Sequence, residues 1–591
     1  MSAPDGRVRP DSGFALALML LVTLVVSGMA AAAIYIGMGS VVITRSHERQ
    51  DLLEMVAEDG LELARARINA DRSLFPEEGY TTLEDNVEVY DVEGNVIPGV
   101  RRSTYVGPTG ITSGEYGVYG SIVTVVRDEG RGVVVRRTQV QQESFSKYAY
   151  FTDFEPSEIA FGGGDQIYGP VHSNDSIKIY DSGATFHSMV TTAKVIKGRE
   201  YGEFREGYRE RVPEIPLPET ADLAKLKVQG EAGGTAFTAS KNNPVGRATM
   251  RIEFVAIDLN GDGLVTGENE GFIRVYEVTS SSHRDWLVAA APPANLRNSR
   301  NCGHFHNGVF VSAADHPKNG NDNWMAALSS QGHRCFLGGD PVLFNGFTPT
   351  DSRGRWLKWS GPVSPLLNGR PDREYLFPIT RALNPSFKGV IFVDGDVAIS
   401  GTVRGRVTVA ATGNIVIADD IVYATDPSVG NCADILGLYA GNNVVVANTP
   451  INAPWQRGND SAYFSYDDTT DEFIHAFVLA LNQFTVEGYN SGSTKDERCG
   501  NRNWGRGCLY LTGGIIQRSR GPVGSTPRSR GPVGTTPGTG YLKRYSYDKC
   551  GISDPPPYFP TTGYFARSFY YEVDPTGFDI DEYFSKLAAG S

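Results

Sequence analysis

A regular series of oxygen-bearing side chains near the middle of the chain is the sharpest chemical motif in the sequence. Asp258, Asn260 and Asp262 alternate with other residues and lead into Gly263, in the pattern Asp-x-Asn-x-Asp-Gly. Alternate positions of such a loop bring their oxygen atoms to a common centre, and glycine permits the sharp turn that calcium loops need. The motif therefore predicts a calcium site, to which Leu264 adds its backbone carbonyl.

The loop departs from the helix-loop-helix calcium motif at its twelfth position. Asn269 stands where a bidentate acid is usual, so Glu268 or Glu270 would have to complete the ligand shell. The flanking residues 250–256 and 272–278 alternate like strands, and we expect the loop to join a hairpin. The alternative is a turn rich in Asp and Asn that holds no metal, since these side chains also hydrogen-bond to their own backbone.

Other acidic residues indicate an enzyme only weakly, and we expect no enzymatic activity and no catalytic residue. Asp394 and Asp396, together with Asp419 and Asp420, could form the acid pair of a polysaccharide-cleaving protein. Acids are equally expected at the corners between repeated short strands. The sequence contains no GxSxG motif, P-loop or Rossmann motif. A carbohydrate-binding or carbohydrate-cleaving envelope protein is the alternative function.

Composition and charge indicate a turn-rich β protein whose partners are proteins or surfaces. The 591 residues give room for more than one domain. The 68 glycines and 33 prolines, with 28 tyrosines and 28 phenylalanines, favour mostly β structure after the first helix. The net charge of -13 is spread along the chain without a long basic tract, and we expect no nucleic-acid partner.

The cysteines predict disulfides in an oxidising compartment. None forms a CxxC pair, and their number is even in a chain whose apolar N-terminal residues 14–38 are expected to direct export. Cys499 with Cys508 is the expected local pair, and Cys302 with Cys335 is the second expectation; free buried thiols are the alternative. The six residues are Cys302, Cys335, Cys432, Cys499, Cys508 and Cys550.

A long N-terminal helix is the first element of the chain. Residues 14–38 are apolar and uncharged, and they exceed the about 20 residues that span a bilayer. From Arg45 onward the pattern becomes amphipathic, with apolar residues at roughly helical spacing. We therefore expect one helix that crosses a membrane and continues into water. Its apolar stripe comprises Leu52, Leu53, Val56, Leu61, Leu63, Ala64 and Ile68.

A short basic leader precedes this helix and ends in Gly13, which Phe14 follows at the start of the helix. This arrangement resembles the type IV pilin class, in which a prepilin peptidase cuts after the glycine. The resemblance implies cleavage between Gly13 and Phe14 and methylation of the new N-terminus. Residues 56–64, VAEDGLELA, also resemble the corresponding turn of PilX-like minor pilins. A cleaved secretory signal and a plain membrane anchor are the alternatives.

The resemblance also implies a place within the class. Major pilins usually carry Glu at the fifth mature position, where this chain has Leu18, whereas PilX-like proteins and large tip-type pseudopilins often lack that acid. The implied partners are a prepilin peptidase, other pilins or pseudopilins, an inner-membrane assembly platform and a surface ligand. The implied location is a bacterial inner membrane with the body in the periplasm or outside, and an extracellular filament after assembly.

The residues after the helix predict two kinds of β structure. Residues 120–126 and 133–140 read as a hairpin of a small antiparallel sheet packed on the helix, which is the pilin arrangement. Short apolar segments separated by Gly, Asn and Asp then recur and predict a right-handed parallel β-helix-like body. An antiparallel sandwich is the alternative. The recurring segments are 162–179, 389–401, 406–417 and 437–446.

The predicted fold class is α+β, mostly β, with a large insertion in the body. The expected function is a non-catalytic minor pilin or pseudopilin that initiates, caps or gives adhesion to a filament, with a type II secretion pseudopilin as an alternative. The expected divisions are a leader at 1–13, the helix at 14–70, the antiparallel unit at 71–147, first coils at 148–198, an insertion with the calcium loop at 199–381, later coils at 382–490 and C-terminal loops and tail at 491–591.

Overall fold

The chain forms two compact units in the computed structural model. Unit 1 comprises Met1–Ile111, Tyr119–Gln141 and Phe565–Ser591, and unit 2 comprises Thr112–Val118 and Gln142–Tyr564. The chain thus leaves unit 1 after its fourth strand and returns near the C-terminus. The structure describes residues 12–109, 114–115, 117–129, 132–281, 283, 304–306, 309–311, 349–350, 353–448, 471–490, 498–500, 502–525 and 538–589.

The helices and strands of the described residues are numbered in chain order. The α-helices are α1 (Ser12–Ala70), α2 (Asp222–Ala232), α3 (Cys550–Ser553) and α4 (Ile580–Ala589). Short 3-10 turns lie at Arg72–Leu74, Phe145–Lys147, Arg199–Tyr201, Pro365–Leu367, Arg373–Tyr375 and Pro427–Val429. The strands are β1 (Thr81–Tyr90), β2 (Val96–Pro108), β3 (Tyr119–Asp128), β4 (Gly132–Ser144), β5 (Tyr150–Phe154), β6 (Asp165–Ile167), β7 (Val171–Ser173), β8 (Ile177–Lys178), β9 (Ala184–Phe186), β10 (Val190–Thr192), β11 (Ile196–Lys197), β12 (Gly202–Phe204), β13 (Tyr208–Glu210), β14 (Ala236–Thr238), β15 (Met250–Ala256), β16 (Gly271–Val278), β17 (His304–His306), β18 (Val309–Val311), β19 (Gly354–Trp356), β20 (Phe377–Pro378), β21 (Val390–Asp394), β22 (Val397–Val403), β23 (Arg406–Ala411), β24 (Ile415–Tyr423), β25 (Ile435–Ala440), β26 (Val444–Val446), β27 (Glu472–Ala480), β28 (Phe484–Val486), β29 (Arg498–Cys499), β30 (Arg502–Asn503), β31 (Cys508–Ser519), β32 (Gly524–Ser525), β33 (Thr539–Gly540), β34 (Leu542–Ser546) and β35 (Thr561–Val573).

Unit 1 is built on a five-stranded sheet in the order β1-β2-β3-β4-β35. Strands β1 to β4 pair antiparallel with their neighbours in sequence, which confirms the predicted hairpin as β3 and β4. The edge strand β35 comes from the region predicted to hold only loops and a tail. That prediction was wrong for β31, β34 and β35, because each of them also pairs with a strand far away in sequence, β5, β6 and β4 respectively, and no local turn signal indicates these pairings.

The sheet of unit 1 has buried apolar side chains on both of its faces. On one face, Ile122 and Val126 pack with the amphipathic half of α1. On the other face, Val123 and Val125 pack with Phe584 of α4. Successive strand residues point to opposite faces, so one strand serves both helices. The predicted stripe on α1 is largely buried, except that Leu63 is exposed. The buried helix residues are Leu53, Val56, Ala57, Leu61, Ala64 and Ile68.

Unit 2 contains three columns of parallel strands within one 22-stranded sheet. The first column runs β14, β21, β23, β25, β27, β31, β5, β7, β10 and β13. The second runs β15, β22, β24, β26 and β28. The third runs β22, β24, β27, β31, β34, β6, β9 and β12. Apolar side chains of all three columns form one large buried cluster.

The order of strands in these columns differs from their order in the chain. The early strands β5 to β13 stack on β31 and β34, which come from the C-terminal part of the sequence. The chain then passes from β13 at one end of the first column to β14 at the other. Residues 211–235 make this connection. Within it, the carbonyl of Glu219 accepts a hydrogen bond from Tyr439 Oη at 3.0 Å. The first part of the predicted insertion therefore supplies β12 and β13 to one end of the columns and β14 and β15 to the other.

Candidate functional site

The first half of α1 is an exposed apolar cylinder. Gly13 and Phe14 lie in the first turn of α1, and the side chains of residues 14–47 are exposed. Among the described residues, α1 is the one helix long and apolar enough to cross a membrane. Leu18 is exposed on this half, where it offers a neighbour an aliphatic surface and no carboxylate. The geometry leaves this helix free to be covered by lipid or by other helices.

The second half of α1 approaches the sheet most closely at Gly60. A β-carbon built on Gly60 would lie 2.8 Å from Cδ of Arg102 and 2.8 Å from Cγ2 of Thr124. These separations are well inside van der Waals contact, so any larger residue would push the helix and the sheet apart. The glycine within VAEDGLELA is thus explained by close packing of α1 on β2 and β3.

Ion pairs lie near the contact between α1 and the sheet of unit 1. Arg102 donates from Nε to Glu84 Oε2 at 2.8 Å, and Thr104 Oγ1 donates to the same oxygen at 2.8 Å. Burial alone would raise the pKa of Glu84, but the hydrogen bonds from Arg102 and Thr104 outweigh it and lower that pKa. At the other end of the packed helix, Arg49 binds both carboxylate oxygens of Asp128, at 2.8 and 2.9 Å. The pair of Arg49 and Asp128 joins α1 to the sheet, whereas Glu84 joins β1 to β2.

The predicted calcium turn joins β15 to β16, which pair antiparallel from Met250 with Glu277 to Ala256 with Gly271. Asp258 accepts backbone N–H bonds from Gly261 at 2.7 Å and Gly263 at 2.8 Å. These hydrogen bonds lower the pKa of Asp258, with the bond from Gly263 the largest cause. The sequence prediction of a hairpin loop at this motif is therefore correct.

The neighbouring oxygens of the turn are also engaged by backbone. Asn260 Oδ1 accepts from the Asp262 N–H at 2.9 Å, and Asp262 Oδ1 accepts from the Leu264 N–H at 2.8 Å. Each carboxylate oxygen keeps further lone pairs when it accepts one N–H. Asp258, Asn260 and Asp262 with the Leu264 carbonyl are the hard oxygen donors that calcium prefers.

The two acids proposed to complete the shell differ in position. Glu270 is fully buried and accepts from the Leu259 N–H at 3.1 Å and the Gly267 N–H at 2.7 Å, whereas Glu268 is exposed. Across the described part of the chain, no three His, Cys, Asp or Glu side chains are grouped so as to hold a metal. The donor chemistry of the turn suits calcium, and its amide and carbonyl oxygens would have to supplement the acids.

The acids considered as a catalytic pair have structural contacts. Asp394 pairs with Lys241 and accepts from Thr412 Oγ1 at 2.8 Å. Asp396 accepts from the backbone N–H of Asn414 at 2.6 Å and of Asn243 at 2.8 Å. Asp420 likewise accepts from the Phe473 N–H at 2.8 Å. These bonds tie successive strands and turns together.

Two disulfides lie among the described residues of unit 2. Cys499 is bonded to Cys508, the local pair predicted from the sequence, and Cys432 is bonded to Cys550 across 118 residues. The predicted pair of Cys302 and Cys335 lies outside the described residues. The longer disulfide could not be chosen from the sequence, because its cysteines come together only when α3 returns to the columns.

A buried histidine in unit 2 was missed by sequence reasoning. His172 on β7 is almost completely buried, with Nε2 3.0 Å from Asn174 Oδ1 and Nδ1 2.8 Å from Thr191 Oγ1. Asn174 Oδ1 also accepts from the Ile215 N–H at 2.9 Å, so Nε2 of His172 is the donor of its pair. Burial lowers the pKa of His172 to about 4, and the charge of Lys147 lowers it further against the opposing hydrogen bond from Asn174.

A buried cluster of four charged side chains was also missed. Arg520 Nη1 lies 3.2 Å from Glu155 Oε2, and Lys543 Nζ lies 3.2 Å from Asp165 Oδ2. The guanidinium of Arg520 stands 3.9 Å from the ring centre of Phe161. No spacing rule links these residues, since the two pairs join positions hundreds of residues apart.

Comparisons with known proteins find similarity among solved structures. No family model matches the chain, and no curated protein sequence matches it. A crystal structure of the competence-associated pilin ComZ from Thermus thermophilus is similar over 84% of this chain and 87% of its own, with 11% identity and a TM-score of 0.23. That degree of similarity establishes neither fold nor function for this chain.

Proposed function

We propose that this protein is a non-catalytic minor pilin or pseudopilin. The observation that carries the proposal is the two-part character of α1, whose exposed apolar half continues without a break into a half packed on an antiparallel sheet. Such a helix can rest in a membrane before assembly and pack among like helices afterwards. The leader, which ends in Gly13 directly before Phe14, supports processing by a prepilin peptidase.

Membrane anchoring and partners follow from the same helix. We place the apolar half of α1 in a bacterial inner membrane, with the rest of the protein in the periplasm or outside. Its partners are other pilins or pseudopilins, an assembly platform in the inner membrane, and a surface ligand for the body. The columns of parallel strands support a right-handed parallel β-helix as the class of that body, because each turn of such a fold buries its apolar face on the next.

Leu18 and the size of unit 2 restrict the position in a filament. An acid at the fifth mature position would pair with the N-terminal amine of a neighbouring subunit in the apolar core, where an unpaired charge is costly. This chain cannot offer that acid. A body as large as unit 2 also cannot repeat at every step among small subunits. The protein therefore acts at the tip or as a sparse component that initiates, caps or gives adhesion.

Stoichiometry tests this proposal. Quantitative mass spectrometry of sheared, purified filaments is expected to find this chain at a small fraction of the major subunit. Near-equal amounts would contradict a tip or sparse position. Complete absence from filaments, with retention in the membrane, would contradict assembly. Protein found only in a short periplasmic filament, and dependent on a type II secretion platform, would assign the pseudopilin role.

We also propose that the turn between β15 and β16 binds calcium through Asp258, Asn260, Asp262 and the Leu264 carbonyl, with Glu268 or Glu270 as the remaining acid. The supporting observation is that side-chain oxygens of alternate residues are already held in the turn by its own N–H groups. A ligand that binds only the folded state at 100 times its Kd adds about 2.7 kcal/mol of stability.

Thermal unfolding with calcium and with a chelator tests the calcium proposal. Calcium is expected to raise the Tm of the wild type and to leave Asp258→Ala unchanged. Asp91→Ala is the matched control, because Asp91 also caps an exposed turn, accepting from the Glu93 and Asn95 N–H groups, but lacks the calcium motif. Equal Tm values with and without calcium in the wild type would contradict the site.

A further inference from the structure

We propose that unit 2 forms an intramolecular amide cross-link between Nζ of Lys543 and Cγ of Asp165. The two residues are 378 positions apart in sequence, and their side chains lie 3.2 Å apart from Nζ to Oδ2. Such a bond would be a covalent modification made by the chain on itself. It is independent of the filament role and of calcium.

Strand register brings the two reacting groups together. Lys543 lies on β34 and Asp165 on β6, which are parallel neighbours with Tyr545 opposite Ile167. Counting two residues back along each strand places Lys543 opposite Asp165. The Gly162 N–H donates to Asp165 Oδ2 at 3.1 Å and orients the carboxylate towards the amine. The reacting atoms are therefore held by backbone geometry and need no large movement to meet.

The surroundings favour the neutral amine of Lys543, which is the nucleophile. The side chains of Asp165 and Lys543 are only 5% and 17% exposed, and those of Glu155 and Arg520 are 0% and 3% exposed. A charged pair loses its hydration in such a place, so transfer of one proton from the ammonium to the carboxylate becomes less costly. Burial lowers the pKa of Lys543, the charge of Arg520 lowers it further, and Asp165 opposes both.

Glu155 and Arg520 position the charges around the pair. Glu155 Oε1 accepts from Tyr150 Oη at 2.9 Å and from Thr152 Oγ1 at 2.6 Å, while Oε2 holds Arg520. Glu155 thereby fixes Arg520, whose guanidinium lies 3.9 Å from the ring centre of Phe161, while Lys543 Nζ lies 6.0 Å from the same centre. The guanidinium of Arg520 is suited to stabilise the negative oxygen that develops on Asp165 as the amine adds. We treat Glu155 and Arg520 as positioning residues.

The reaction balances without an outside reagent. Proton transfer within the pair gives a neutral amine and a neutral carboxylic acid. The nitrogen lone pair of Lys543 then forms a bond to Cγ of Asp165, and the Cγ–OH bond breaks. The leaving hydroxide takes a proton from the nitrogen, so one amide and one water molecule replace the ion pair. No atom is oxidised or reduced.

The cross-link would join β6 to β34, which are far apart in the sequence. Strands β5 to β13 meet β31 and β34 through hydrogen bonds and packing, and neither disulfide of the described residues joins the early strands to the late ones. A bond from β6 to β34 would tie this seam covalently. Pulling on the body, or partial unfolding of one column, would then be unable to separate the early strands from the late ones.

Peptide mass spectrometry of the full chain, reduced and denatured after purification, tests the cross-link. The expected result is a branched peptide that contains Lys543 and Asp165 and lacks the mass of one water molecule. The intact chain should also migrate faster in a denaturing gel than Lys543→Arg, because the closed loop persists after unfolding. Lys543→Arg keeps a positive charge beside Asp165 but cannot form this amide under the same conditions.

A second variant separates the chemistry from simple folding. Asp165→Asn is expected to form the same amide with loss of ammonia in place of water. Arg520→Met is expected to slow formation without preventing it. Quantitative recovery of linear peptides with unmodified Lys543 and Asp165 from folded wild-type protein would overturn the proposal, and hydrogen exchange showing β6 and β34 protected in that sample would establish that it was folded.

Discussion

The sheets of the two units differ in how their strands are paired and in which contacts stabilise them. In unit 1, β1 to β4 pair with neighbours in sequence, and two helices cover the faces. In unit 2, parallel columns pair strands from distant parts of the chain, and buried polar groups and disulfides lie among them. Unit 1 therefore depends on the fit of helices to a locally formed sheet. Unit 2 depends on ties between segments that must first find each other.

Removing the longer disulfide should lower the stability of unit 2 more than any other change proposed here. Cys432→Ala with Cys550→Ala opens a loop of 118 residues, whereas Cys499→Ala with Cys508→Ala opens one of 9. Closing a loop restricts the unfolded chain more when the loop is long. We expect losses of about 5 and about 3 kcal/mol in the free energy of unfolding, measured with urea. Equal losses, or a greater loss from the short loop, would contradict this reason.

Acid should weaken unit 2 through His172. The pKa of His172 is about 4 in the folded protein and about 6.5 when unfolded, so the unfolded chain binds more protons between those values. Its contribution is fully present above pH 6.5 and is lost as pH falls towards 4, by about 3 kcal/mol. Urea unfolding at several pH values measures this slope.

Two substitutions isolate the histidine. His172→Gln is expected to remove the slope between pH 6.5 and 4, at some cost in stability at neutral pH because the hydrogen bonds change. His47→Gln, at an exposed position of α1, is expected to leave the slope unchanged. A slope that survives in His172→Gln would place the acid sensitivity in another group.

Unit 1 should be most sensitive at Gly60. Gly60→Leu places side-chain atoms where Arg102 and Thr124 already lie, and overpacking of this kind costs about 1 to 3 kcal/mol. Gly37→Leu makes the same chemical change on the exposed half of α1, where no atom lies within 4 Å of the added β-carbon. Hydrogen exchange of β2 and β3 in detergent measures the difference. Equal protection in both variants would show that the close approach does not matter.

Sequence reasoning succeeded where the deciding contacts are local. The helix, its packed stripe, the β3–β4 hairpin and the β15–β16 loop each follow from spacing within a few turns of chain. Gly60 was noted within a motif, but its cause, close contact with Arg102, needs the sheet in place. Leu63 was assigned to the stripe although it is exposed, because helical spacing alone does not locate the centre of a packed face.

Sequence reasoning failed where strand order departs from chain order. Nothing near Asp165 signals that β6 will lie beside β34, and nothing near Cys432 signals Cys550. Short apolar segments with Gly and Asn corners predicted repeated strands, but these segments do not indicate which strand stacks on which. The return of β35 to the first sheet was missed for the same reason.

The N-terminus of the protein recovered from sheared filaments tests the proposed pilin function most directly. Mass spectrometry is expected to find a chain that begins at Phe14, and Gly13→Trp is expected to retain the leader and remain in the membrane. A wild-type chain that still begins at Met1, or one cut near Ala33, would contradict prepilin processing and with it the assignment of α1 as a pilin helix.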